Sequence, residues 1–172
     1  MFLLCCSQPR RRRGGSITRW SHNLISKPGF INYKIGTKDL PTGQAGKSMV
    51  LKTPPLSSEY TMHTDIKDGK EVLVCTVGKT VLLYDYRCLA DLHAMLKKHG
   101  DWMEPGSADE QKPAKEGTVE AWGRSEKNPV GGWYGLKKGL RGRFGMYIPP
   151  LMEAPGLAEL THEAKGNKMR AK

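Results

Sequence analysis

Four cations fall within seven positions near the C-terminal end: Lys137, Lys138, Arg141 and Arg143. Trp133 and Tyr134 precede them, and Gly139, Gly142 and Gly145 are spread among and after them. The chemistry this composition suits is contact with a phosphate backbone. Arginine holds a phosphate through two parallel N–H groups, glycine lets the main chain approach a ligand closely, and an aromatic ring offers a surface on which a base can stack. Trp133 and Tyr134 are the stacking candidates; a competing reading makes them, with Trp122, a small local core. Further along, Lys165, Lys168 and Arg170 add cations to the same end of the chain.

No other chemistry is legible. Gly46-Lys47-Ser48 resembles the close of a phosphate-binding loop, but the glycine required five residues before Gly46 is Pro41. His93 and His99 are six apart, a spacing that does not put two ligands on one helix face. Asp109 and Glu110 sit between Pro105 and Pro113, where no packing would hold them for acid–base work. His162 and Glu163 are adjacent, and strand geometry sends neighbours to opposite faces. Cys75 and Cys88 lie in apolar surroundings and read as small buried hydrophobes; a disulfide between them is the minor alternative. The chain is therefore expected to be non-enzymatic, with no metal site and no cofactor.

Charge is unevenly distributed. The chain has a formal net charge of +11 over 172 residues; residues 1–60 carry +8, residues 61–133 carry −2 and residues 134–172 carry +5. Two basic ends around a slightly acidic middle suit a nucleic acid or an acidic protein partner. Hydrophobic residues make up 38%, and no apolar run approaches the roughly twenty residues of a membrane span. A soluble protein, cytoplasmic or nucleoid-associated, is expected, with no membrane partner. Arg10 to Arg13 open an acid-poor stretch that ends at Asp39. Residues 1–38 fit an organelle transit segment, a basic arm, or translated sequence upstream of a later start at Met49 or Met62. Residues 1–59 are read as a disordered basic leader.

The elements that must position any site follow from periodicity. Tyr60–Ile66, Val72–Val77 and Thr80–Tyr86 read as strands joined by turns at Asp68-Gly69 and Gly78-Lys79. Arg87 to His99 reads as the helix that covers them, with Leu89, Leu92 and Leu96 on one stripe and Gly100 as its stop. Residues 60–104 thus form a hairpin-plus-helix unit, and residues 105–117, rich in Pro and polar residues, a flexible linker. Thr118 caps a short helix that Gly123 soon interrupts. Pro149-Pro150 opens another towards Ala154. Leu157 to Glu163 alternates as a strand does, Ala164 to Asn167 supplies a turn, and Lys168 to Lys172 returns as a basic strand.

A helix followed by a short hairpin with Lys165-Gly166-Asn167 at its tip resembles the end of a winged-helix domain. The resemblance covers about residues 118–172. It departs from that family where the Gly-rich loop 123–145 stands in place of a regular recognition helix. It implies wing contacts to DNA backbone by Lys165, Lys168 and Arg170, with Arg141 and Arg143 meeting phosphates beside them. The expectation is an α+β protein that binds nucleic acid, DNA before RNA, by backbone contact. The alternative is a protein–protein interaction module or accessory subunit with an exposed apolar patch around the hairpin 72–86.

Overall fold

Three strands form where the apolar, β-branched runs predict them: β2 (Glu59–Lys67), β3 (Lys70–Val77) and β4 (Thr80–Asp85). The computed structural model describes residues 48–135 and 143–172, and these form an α+β fold. Asp68 and Gly69 both take positive φ, as a type I′ turn requires, whereas at the next turn only Gly78 does, as in type II′. A strand the leader was not expected to hold, β1 (Met49–Lys52), pairs antiparallel with β2, and the sheet order is β1-β2-β3-β4. The predicted leader boundary at residue 59 is therefore corrected. Four residues are too few for periodicity to register, and this strand forms by pairing with the edge of β2 and packing Met49 and Leu51 against the core. Met49 is its first residue, and Met62 lies within β2 with its side chain in the core.

Register decides which side chains share a face. Met62 opposes Cys75, which opposes Leu82; Leu73 opposes Tyr84. All five are buried, together with Tyr60, in one cluster with Leu89, Leu92 and Leu96 of helix α1 (Cys88–His99) and with Phe144 and Tyr147. The α1 helix stops where Gly100 turns left-handed (φ 74°) and returns its N–H to the Leu96 carbonyl at 3.0 Å. Cys75 and Cys88 are free thiols inside this core.

Helix α2 (Val119–Arg124) has the predicted cap, the Thr118 hydroxyl accepting from the Ala121 N–H at 3.2 Å. Gly123 does not interrupt it. A Cβ there would lie 2.7 Å from the Phe144 ring, so glycine is what lets α2 and the next helix close on each other. That helix, α3, runs Phe144–Glu153 and places Pro149 and Pro150 inside it, not at its start. Two prolines remove the N–H donors for the carbonyls of Gly145 and Met146. The helix persists because eight of its ten residues are buried, and tertiary burial outweighs the local cost. An all-round apolar helix is a central one.

The last strands, β5 (Ala158–Leu160) and β6 (Met169–Ala171), pair antiparallel as a hairpin. Asn167 closes its loop, its side-chain oxygen accepting from the Glu163 N–H at 2.7 Å and its amide donating to the Glu163 carbonyl at 2.8 Å. The free edge of β6 meets Met103, with Met103 and Met169 exchanging two backbone bonds of 2.8 Å. One hydrophobic cluster joins residues of β2, β3, β4, α1, α2, α3, β5 and β6. Segments 60–104 and 118–172 thus share a core and are not separate units. No helix among the described residues is long and apolar enough to cross a membrane.

Candidate nucleic-acid interface

Cations alternate through and just beyond strand β6, with Arg170 inside it and Lys168 and Lys172 flanking it. Met169 is buried and Ala171 half-buried on the core side, so Lys168, Arg170 and Lys172 fall on the opposite, exposed side. Register places Glu159 directly across from Arg170 on one flank. The Met103–Met169 bridge brings Trp102 alongside on the other. Arg170 accordingly donates from Nε to the Glu159 carboxylate at 2.7 Å, and its guanidinium carbon lies 4.6 Å from the centre of the Trp102 ring. Lys172 Nζ is 3.6 Å from the same carboxylate. The hydrogen bond from Arg170, then its charge and that of Lys172, hold the Glu159 carboxyl below its usual range against a smaller opposing effect of desolvation. Lys97, in the last turn of α1, completes a shallow groove of about 250 Å³ with Leu96, Gly100, Glu159, Arg170 and Lys172.

Lys137, Lys138 and Arg141 lie outside the described residues. Arg143 is exposed at the start of α3 in the left-handed region (φ 63°), a conformation rare for a side chain with a Cβ. Lys165 is exposed at the hairpin tip, bordering a groove of about 360 Å³ with Pro54, Pro55, Pro105 and Met146. Lys168 is exposed beside Arg170.

One aromatic assignment is corrected. Tyr134 is buried, stacked between Trp122 and Phe144, and its hydroxyl donates to Asp91 at 2.9 Å. It belongs to the core and offers no face to a base. Trp133 is half-buried, with the Arg124 guanidinium 4.5 Å from its ring centre. The local-core reading is the one the packing follows for Tyr134 and Trp122. The residues missed were Trp102, Lys97, Glu159 and Lys172. Only the alternation of cations from 168 to 172 signalled them in the sequence; the others arrive by pairing across strands and from α1.

Behind the surface lies a polar node that no motif marked. Glu120 is fully buried on α2, and its carboxylate takes Nε of Arg124 at 2.6 Å and the backbone N–H of Gly145 at 2.7 Å. Burial raises its pKa, and the Gly145 N–H and Arg124 oppose that rise without reversing it. Arg124 also donates to the carbonyls of Ala108, Asp109 and Lys112, at 2.8, 2.9 and 3.0 Å. The expected flexible linker 105–117 is thereby pinned, which corrects that reading. His162 meets Glu153 at 3.1 Å and the Pro54 carbonyl at 2.9 Å, and so ties the β1–β2 loop to the end of α3. Among the described residues no three His, Cys, Asp or Glu side chains are grouped to hold a metal ion.

The outer face of the sheet is partly bare. Val50, Thr61, Thr76 and Val81 form one row across the four strands, with Val50 67% and Val81 49% exposed.

Residues 41–172 match the family model DUF6855, described as a family of unknown function, and the chain belongs to that family. No curated protein and no solved structure matches it.

Proposed function

We propose that this member of the family is a non-enzymatic nucleic-acid-binding protein that contacts the phosphate backbone, DNA before RNA, through the basic face of β6. The observation that carries this reading is the exposed trio Lys168, Arg170 and Lys172 on and beside β6, with Lys97 and the carboxylate of Glu159 lining the same groove. Lysines held on a rigid strand offer point charges to phosphates and carry no sequence information. Exposed Arg143 and Lys165 extend the same chemistry. The winged-helix resemblance lends the basic hairpin to this reading and nothing more.

The test is a salt series on the full chain. The slope of log affinity against log salt counts the phosphates neutralised. Lys168→Ala with Lys172→Ala should flatten that slope by about 2 for duplex DNA. The basic residues 1–60 contribute equally to both proteins, so they cancel in the comparison. An unchanged slope would sink the assignment of this face.

The second reading, a docking module for a protein partner, draws on the exposure of Val50 and Val81. Thr61 and Thr76 stand between those two valines in the row, which divides the apolar surface. The cations outnumber the one carboxylate paired with them, Glu159, and this favours nucleic acid.

A further inference from the structure

We infer that the β6 face takes single-stranded nucleic acid in preference to duplex, with Arg170 on Trp102 as the platform for one unstacked base and Lys168 and Lys172 holding the phosphates on either side. This rests on the backbone-contact reading above and deepens it.

Arg170 is the central cation of the row, yet it is poorly placed to grip a phosphate. A guanidinium binds an anion through its N–H edge. Here Nε and one terminal nitrogen are already bound to Glu159. What it offers instead is accessible surface for stacking: 48% of the side chain is exposed while Trp102 lies against the guanidinium carbon at 4.6 Å. Two cross-strand neighbours fix it: Glu159 through the β5–β6 register and Trp102 through the Met103–Met169 bridge. A guanidinium locked in this way loses little freedom when a base stacks on it.

Bases stack on aromatic rings and on arginine planes only when they are unpaired and splayed from their neighbours. A duplex keeps its bases inside, and a flat strand face would meet only its phosphates. The flanking lysines are two residues from Arg170 on each side, about 6.8 Å at strand spacing. They therefore sit either side of the platform, along the direction a strand laid on β6 would run. Lys97 and the groove of about 250 Å³ continue the positive surface from the Lys172 end.

The experiment is a titration of the full chain against labelled oligo(dT), oligo(rU) and a mixed-sequence duplex of equal length, at one salt concentration. Arg170→Lys keeps the charge and the Glu159 partner but removes the plane. It should weaken oligo(dT) and oligo(rU) by about tenfold, with duplex affinity held within about twofold. Trp102→Leu should show the same split; if it unfolds the hairpin, Arg170→Lys alone decides. Equal binding of the two single strands means a platform indifferent to the sugar, and a difference between them names the preferred one. If Arg170→Lys lowers duplex and single-strand affinity alike, or changes neither while the Lys168/Lys172 double variant still flattens the salt slope, the platform is refuted and the backbone reading survives. If the double variant changes no slope, both fail together.

Discussion

Glu120 Oε2 accepts the backbone N–H of Gly145 at 2.7 Å, so a carboxylate on α2 closes the first turn of α3 from inside the core. The same carboxylate holds Arg124, which in turn holds three carbonyls of the 105–117 segment. One buried acid thus organises two helices and a loop that carries little apolar surface of its own.

Removing that acid should be costly. Glu120→Ala leaves a largely buried guanidinium unpaired and an α3 N–H without its acceptor. The expected loss is about 3–5 kcal/mol in urea denaturation. Arg124→Leu should release residues 105–117 to a protease while the sheet stays protected, and equal cleavage of the two proteins would contradict the pinning.

The pH dependence of this pair has a definite sign. Burial raises the folded-state pKa of Glu120 above that of the unfolded chain. The folded state then holds the proton more tightly, so this group's contribution is greatest below the unfolded carboxylate range. It declines as pH rises through the raised value. Glu120→Gln keeps a polar partner but never ionises. The stability of wild type relative to this variant should fall with rising pH across that window, and a rise would reverse the assignment.

Among the described glycines, Gly145 is the one where an added Cβ would meet its neighbours most closely. A Cβ there would stand 2.0 Å from the Pro105 carbonyl oxygen, and main chain cannot step aside as a side chain can. Gly145→Ala should cost about 3 kcal/mol. Gly123→Ala meets only the Phe144 ring, at 2.7 Å, and should cost less. Thermal melts of the two variants give the order directly.

Tyr134→Phe separates the core role from a binding role. It removes the hydroxyl bond to Asp91 and nothing from the surface, so stability should drop by about 1 kcal/mol. Affinity for nucleic acid should not change in the same preparation. A loss of affinity at unchanged stability would restore Tyr134 as a contact residue.

The two core thiols should be silent. Burial alone pushes the Cys75 thiol up to about 12, and Cys88, also buried, is raised well above its ordinary value. In a chain with Cys5→Ser and Cys6→Ser, a thiol reagent at mildly alkaline pH should label neither cysteine until denaturant is added. Labelling of the native protein would show that the sheet opens.

The sequence alone determined those parts of the fold whose signals are local. Val72–Val77, Gly78-Lys79 and Thr80–Tyr86 specified a hairpin through apolar, β-branched runs and a glycine turn. Leu89, Leu92, Leu96 and Gly100 specified a helix and its end. Lys168 to Lys172 specified a returning basic strand, whose observed core is Met169–Ala171. Each depends on neighbours within a few residues, which is the range over which backbone preference and periodicity act. Tertiary structure decided the rest. It placed Met49–Lys52 in the sheet, carried α3 through Pro149 and Pro150, turned Tyr134 inward and bound residues 105–117 to Arg124. It also set Trp102 and Glu159 on either side of Arg170. These outcomes come from edge pairing, burial and desolvation between residues distant in the chain. Such terms have no counterpart in a local pattern, which is why they become visible only once the chain is folded.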